Sequence, residues 1–218
     1  SDLVLLMKTS PITRNVILPA DLTNQLLNLL IMFNTTLFEV SISRKKLTTI
    51  DNEKLQELVL QNYFANGRFV NQNDERLDDL NIEILSECQS ILNEIRSDPT
   101  ESAISLKIND VWVNYNYTDY ITTPHTHKNS FLSAVYYPLS TDGQLSFHSP
   151  FTDSFLANLP AHSPSEYNTH NATSWTFPVE TGDLLIFNSA LLHFVPSSGI
   201  LGQKRMSISY DIGAYVDV

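Results

Sequence analysis

Lys204-Arg205-Met206-Ser207-Ile208-Ser209-Tyr210 alternates polar and apolar residues without a break. Successive side chains of an extended chain point to opposite faces, so Arg205, Ser207 and Ser209 share one side and Met206, Ile208 and Tyr210 the other. The pattern predicts a strand, running from Lys204 to Ile212, whose apolar set packs on a core or on covering helices. Its polar set then lines a cavity inside the sheet. Outward from this stretch, Ser105 to Tyr117, Phe131 to Tyr137, Gln144 to His148, Trp175 to Val179, Leu184 to Phe187 and Leu192 to Val195 read as strands too. All are short, rich in β-branched or aromatic residues, and bounded by Gly, Pro, Asn, Asp or Ser. Such a rhythm predicts a sandwich, barrel or jelly roll.

The first hundred residues have a different texture. Asp21 to Phe33 reads as a helix with Asp21 as N-cap, followed by a strand over Leu37 to Ile42. A second helix starts at a capping Asp51 and runs to about Tyr63, burying Leu55, Leu58, Val59 and Tyr63. A third covers about Asp74 to Ile95, with Leu77, Leu80, Ile84, Cys88, Ile91 and Ile95 on its apolar side. Amphipathic helices of this kind cover a sheet. The expected class is therefore α+β, mainly β: a single domain over 1–218, with a helical support region in 1–100 and the β core in 101–218.

At 218 residues the chain holds one well-buried core, and a second full domain would be cramped. No apolar run reaches the roughly 18 residues that a membrane span needs. Ser1 to Lys8 carries an aspartate where a secretory signal would be basic, so export is not expected and the cytoplasm is. A single cysteine, Cys88, has no disulfide partner and is read as a buried, inert thiol. The net charge of −11 disfavours electrostatic capture of nucleic acid, and no basic stripe is present. Between Ser149 and Ser174 lies a long Ser-, Pro-, Asn- and Thr-rich segment, expected to be a lid or a surface excursion.

The chemistry gathers at Thr122-Thr123-Pro124-His125-Thr126-His127. On one strand, residues i and i+2 project from the same face about 6.6 Å apart, so two imidazoles can close on one ion. His193, after the apolar run Leu184 to Phe187, supplies a third ring from a distant strand. Three ligands leave coordination positions open, as in a catalytic and not a sealed metal site. On spacing alone, metal binding and structural imidazoles both remain open. Arg205 on the cavity face favours the former: a guanidinium there needs an anion, and its planar fork grips a carboxylate with two parallel hydrogen bonds.

Four stretches together resemble the iron(II)- and 2-oxoglutarate-dependent oxygenases, in particular a group from marine bacteria and their phages, related to the prolyl 4-hydroxylase type. They are His125-Thr126-His127, Leu132 to Tyr137, Gly182 to Phe187 leading to His193, and Arg205-Met206-Ser207-Ile208-Ser209. The resemblance spans about Trp112 to Asp211. It implies a double-stranded β-helix with His125, His127 and His193 on Fe(II) and no catalytic residue beyond these ligands. His127 stands where most of the superfamily has aspartate. It further implies Arg205 and Ser207 at the distal carboxylate of 2-oxoglutarate, Tyr115 and Tyr137 as hydrogen-bond partners of that cosubstrate, dioxygen as co-reactant, and an unidentified primary substrate, small molecule or peptide, that is hydroxylated with release of succinate and CO2. Asp142 and Asp153, the alternative carboxylates to His127 as ligand, lack the family spacing.

Two other readings fit the residues. A cupin-like enzyme would use the three histidines without 2-oxoglutarate, but such motifs add a glutamate soon after the His-x-His pair, where Phe131 and Leu132 stand here. A non-catalytic jelly-roll binding module would keep the scaffold alone. His148, His162 and His170 are read as packing or solvated residues, and Trp112, Asn114 and Asn116 as one strand face at the edge of the site.

Overall fold

Nine strands and two helices are described, in the order β1 (Ile42–Lys46), α1 (Asn52–Phe64), α2 (Asp78–Ile95), β2 (Ile104–Asn116), β3 (Thr122–His125), β4 (Leu132–Ser140), β5 (Gly143–His148), β6 (Ser174–Val179), β7 (Asp183–Asn188), β8 (His193–Val195) and β9 (Arg205–Val216). The computed structural model describes residues 40–65, 67–96, 103–116, 121–151, 166–168, 171–197 and 204–216. The chain divides into two compact units, Ser1–Val40 and Ser41–Val218, and the elements above belong to the second. The helix read over Asp21 to Phe33 lies outside the described residues, as do His162, His170, Asp153 and most of the segment between Ser149 and Ser174.

Two antiparallel sheets face each other. The major sheet has the order β1-β7-β4-β9-β2 and the minor sheet β3-β8-β5-β6. Neighbours in a sheet are far apart in sequence, the topology of a double-stranded β-helix. Every strand read from Ser105 onward is found, with ends shifted by a few residues.

Alternation along β4 and β9 divides the core in two. Ala134, Tyr136, Met206, Ile208, Tyr210 and Ile212 face the helices, meeting Leu55, Leu58, Leu80 and Ile84. Val135 and Tyr137 face the other way, into a second cluster with Leu145, Phe147, Leu185 and Phe187 between the sheets. Helix α1 begins as expected: the Asp51 carboxylate accepts from the N–H groups of Glu53 and Lys54. The helix is fastened to β4 by the Tyr136 hydroxyl, which donates to Asn52 Oδ1 at 2.7 Å.

Two boundaries differ from expectation. Of the strand read over Leu37 to Ile42, residues 37–39 lie outside the described residues; the strand that is described, β1, runs over Ile42–Lys46 and pairs with β7. Its sequence Ile-Ser-Arg-Lys-Lys has the polarity of a sheet edge. Charge holds it there: Arg44 reaches the buried Asp183 at 2.6 Å, and Lys45 reaches Glu83 and Glu87 of α2 at 3.1 and 2.6 Å. The third helix starts at Asp78, later than Asp74. Asp74 is taken up by a turn in which its carboxylate accepts from the Arg76 side chain at 2.8 and 2.6 Å.

Candidate metal centre

His125 and His193 are direct partners across the β3–β8 pairing. This brings the two rings to 4.4 Å between centroids. His127 is not on that strand. β3 ends at His125, and His127 lies in the following loop, where its backbone N–H donates to the Ser189 carbonyl at 2.9 Å. The expectation that one strand carries both members of the close pair is thus corrected: the loop turns His127 inward. The outcome for the site is the same, for one ligand nitrogen from each of the three rings lies within 4.8 Å of the others.

The far side of each ring fixes its tautomer. His125 Nδ1–H donates to the Thr123 carbonyl and His193 Nδ1–H to the Leu191 carbonyl, both at 2.9 Å, since a carbonyl can only accept. His127 Nδ1 faces the Asp211 carboxylate, 3.2 Å from Oδ1, which favours the same tautomer. Each ring therefore offers its Nε2 lone pair to the centre. Nε2 of His127 and Nε2 of His193 are 3.2 Å apart, a separation at which two lone pairs repel unless a cation sits between them. With imidazole nitrogens about 2.1 Å from an ion, that spacing corresponds to neighbouring positions on one coordination sphere. The donor set fits a divalent metal. Burial pulls the His193 pKa down to about 4 from its ordinary value, keeping that ring neutral and available as a ligand; its hydrogen bond to Leu191 opposes the shift only in part.

The strand face read from Lys204 to Tyr210 opens as expected onto a cavity of about 60 Å³, which Arg205, Ser207, Ser209, His125, His127 and His193 help to line. Arg205 is 7% exposed, and its Nε has no hydrogen-bond partner among the described residues. Its Nη2 donates to the Tyr137 hydroxyl at 3.2 Å. Ser207 Oγ accepts from Asn114 Nδ2 at 3.3 Å, tying β9 to β2 across the cavity floor. Trp112 stacks on His127 with centroids 5.2 Å apart. Outside the imidazoles a wider groove is lined by Arg68, Phe69, Asp110, Trp112 and Asp211.

Tyr115 is not brought to this cavity. Alternation along β2 turns it to the helix side, where its ring meets Tyr63 and Phe64 edge-on at 5.8 and 6.3 Å. The expectation of a cosubstrate contact is corrected because Asn114 and Tyr115 are adjacent and only one of them can face inward. His148 stacks on Phe194 at 5.0 Å and is no part of the cluster. Asp142 sits at positive φ in the turn between β4 and β5. Asp211 was overlooked as a site residue, although it continues the alternation Arg205, Ser207, Ser209 by one more step.

Residues 110–211, which hold β3 to β8, all three histidines and Arg205, match the family model described as "Putative 2OG-Fe(II) oxygenase". No curated protein matches the chain. Among solved structures, HygX from Streptomyces hygroscopicus with nickel and 2-oxoglutarate bound is similar over 80% of this chain and 83% of its own, at 13% identity and a TM-score of 0.50. The non-heme alpha ketoglutarate dependent epimerase SnoN from nogalamycin biosynthesis covers 81% of this chain and 80% of its own, at 12% identity and a TM-score of 0.52. At such identities the likeness shows the fold, and the fold is the expected jelly roll.

Proposed function

We propose that this oxygenase binds Fe(II) through Nε2 of His125, His127 and His193, and seats 2-oxoglutarate with its distal carboxylate on Arg205, beside Ser207 and the Tyr137 hydroxyl. The observation that carries this is Arg205. A guanidinium buried to 7% exposure with an orphaned Nε and a phenol as its hydrogen-bond partner is costly to hold. No carboxylate pairs with it among the described residues, and it shares one cavity with three converging imidazoles. An anionic cosubstrate that also chelates the metal satisfies both ends of that cavity. A three-histidine enzyme without such a cosubstrate would leave Arg205 unexplained.

Iron(II) with 2-oxoglutarate and dioxygen supplies oxidative decarboxylation, giving succinate, CO2 and an oxidant able to hydroxylate a C–H bond. The chain supplies the rest. Asn114 holds Ser207 in place, Tyr137 fixes the plane of the guanidinium, and Val135, Leu145 and Phe187 keep the inner wall apolar. The primary substrate, a small molecule or peptide, approaches through the groove beside Arg68, Phe69 and Asp110 and is hydroxylated there. α1 and α2 act as supports of the β core, and the enzyme works in the cytoplasm. No described helix is long and apolar enough to cross a membrane.

Anaerobic titration tests the core of this. Fe(II) plus 2-oxoglutarate should produce a visible charge-transfer band that neither gives alone. A protein that takes up Fe(II) but gives no band on adding 2-oxoglutarate would overturn the cosubstrate assignment.

A further inference from the structure

Three imidazoles bring no formal charge to a divalent ion, so its charge must be balanced from outside the ligand set. Asp211 is placed to do that. It lies on the cavity face of β9, in register with Ser133 of β4. Its Oδ1 lies 3.2 Å from His127 Nδ1 and accepts from Ser133 Oγ at 3.1 Å. Ser133 Oγ is in turn 2.9 Å from Ser189 Oγ, and the Ser189 carbonyl takes the backbone N–H of His127. One cluster thus fixes both the ring and the main chain of the histidine that no strand holds. His127 and Asp211 are mostly withdrawn from water, with side chains 13% and 14% exposed. Trp112 stacked on the imidazole completes the clamp.

We propose that Asp211 is a positioning and charge-balancing residue of the metal centre, acting through His127. Its carboxylate draws the Nδ1 proton of His127, makes Nε2 a stronger donor, and sets a negative charge one ring away from the ion. His125 and His193 lean on neutral carbonyls by comparison, so His127 is the electron-rich member of the three. The proposal rests on the metal-site reading above, yet it fails separately from it.

The test uses Co(II) alone with the full chain, read by calorimetric titration and by the visible Co(II) bands. Wild type should bind Co(II), and the double variant H125A/H193A should not. Asp211→Asn, an isostere without the charge, should weaken Co(II) binding by about 10- to 100-fold and shift the bands, with Asp211→Glu recovering part of the affinity. In a His127→Ala background the same D211N change should cost nothing further, because the route to the ion is gone. Unchanged affinity in D211N overturns the proposal while leaving the metal site standing. An equal loss in the His127→Ala background also overturns it, since Asp211 would then ligate directly. Wild type that ignores Co(II) overturns the metal site and this inference together. Thermal unfolding of each metal-free variant separates loss of binding from loss of fold.

Discussion

The guanidinium of Arg205 lies over the ring of Tyr137, 5.0 Å from its centroid, and donates through Nη2 to that same ring's hydroxyl at 3.2 Å. Stacking and hydrogen bond together fix the plane of the fork, which is what recognition of a carboxylate by two parallel bonds requires. Burial leaves the Tyr137 phenol well above its ordinary pKa, so it stays a neutral hydroxyl; the nearby Arg205 offsets that only partly.

Arg205→Lys keeps the charge and loses the fork. It should weaken 2-oxoglutarate binding to the Ni(II)-loaded protein by about 10-fold or more, and Arg205→Ala by up to about 100-fold, the range of one or two charged hydrogen bonds. Ni(II) binding itself should hold. Calorimetry with 2-oxoglutarate as titrant measures both, and an Arg205→Lys protein with wild-type affinity would refute the anchor.

His193 links stability to acid. Its pKa is about 4 in the fold and ordinarily 6.5, so between these values the unfolded chain carries a proton that the folded chain refuses. Unfolding therefore gains as pH falls. The metal-free protein should lose stability from about pH 6.5 down to pH 4, by on the order of 3 kcal/mol, and stay level with respect to this group above about pH 7. Denaturant unfolding across that window should show a shallower slope in His193→Gln; an unchanged slope would acquit this residue.

Tyr210 carries a buried hydroxyl with no hydrogen-bond partner among the described residues, and burial pushes its pKa far upward. Deleting the oxygen relieves an unmet desolvation cost. Tyr210→Phe should raise stability by about 1 kcal/mol, a shift of a few degrees in Tm. A drop of that size would show that the hydroxyl is hydrogen-bonded in solution, for instance by an internal water.

Cys88 is a fully buried thiol whose pKa burial raises to about 12. Native protein should not react with an aromatic disulfide reagent at pH 8, and denatured protein should release one equivalent of thiolate. Rapid labelling of the folded chain would mean that α2 detaches easily from the sheet.

The strands were legible because each has one face in a core, and a half-buried strand writes its period into the sequence. β9 is the clearest case: its alternation predicted which of its side chains reach the cavity. The strand was read to Ile212 but its polar face only to Ser209, which left out Asp211, one step further on the same side. β1 was missed because Arg44, Lys45 and Lys46 are held by Asp183, Glu83 and Glu87, partners invisible to a pattern of local hydrophobicity. Tyr115 was misplaced because an aromatic ring suits either face of a strand. Only the register of β2 against β9, with Asn114 opposite Ser207, decides which way it turns. His127 was found for its chemistry and given the wrong local geometry, since the end of β3 depends on its pairing with β8.

That pairing bears on how long the protein survives. β3 is a four-residue outer strand of the minor sheet, interrupted by Pro124 and irregular in register between Thr122 and His125. An ion shared by His125 and His193 would rivet this weak margin to its neighbour, and limited proteolysis should then show slower cutting near Thr122 once the ion is added. Iron would thereby govern durability as well as turnover: a cell starved of it would find this enzyme being cleared and not merely idle.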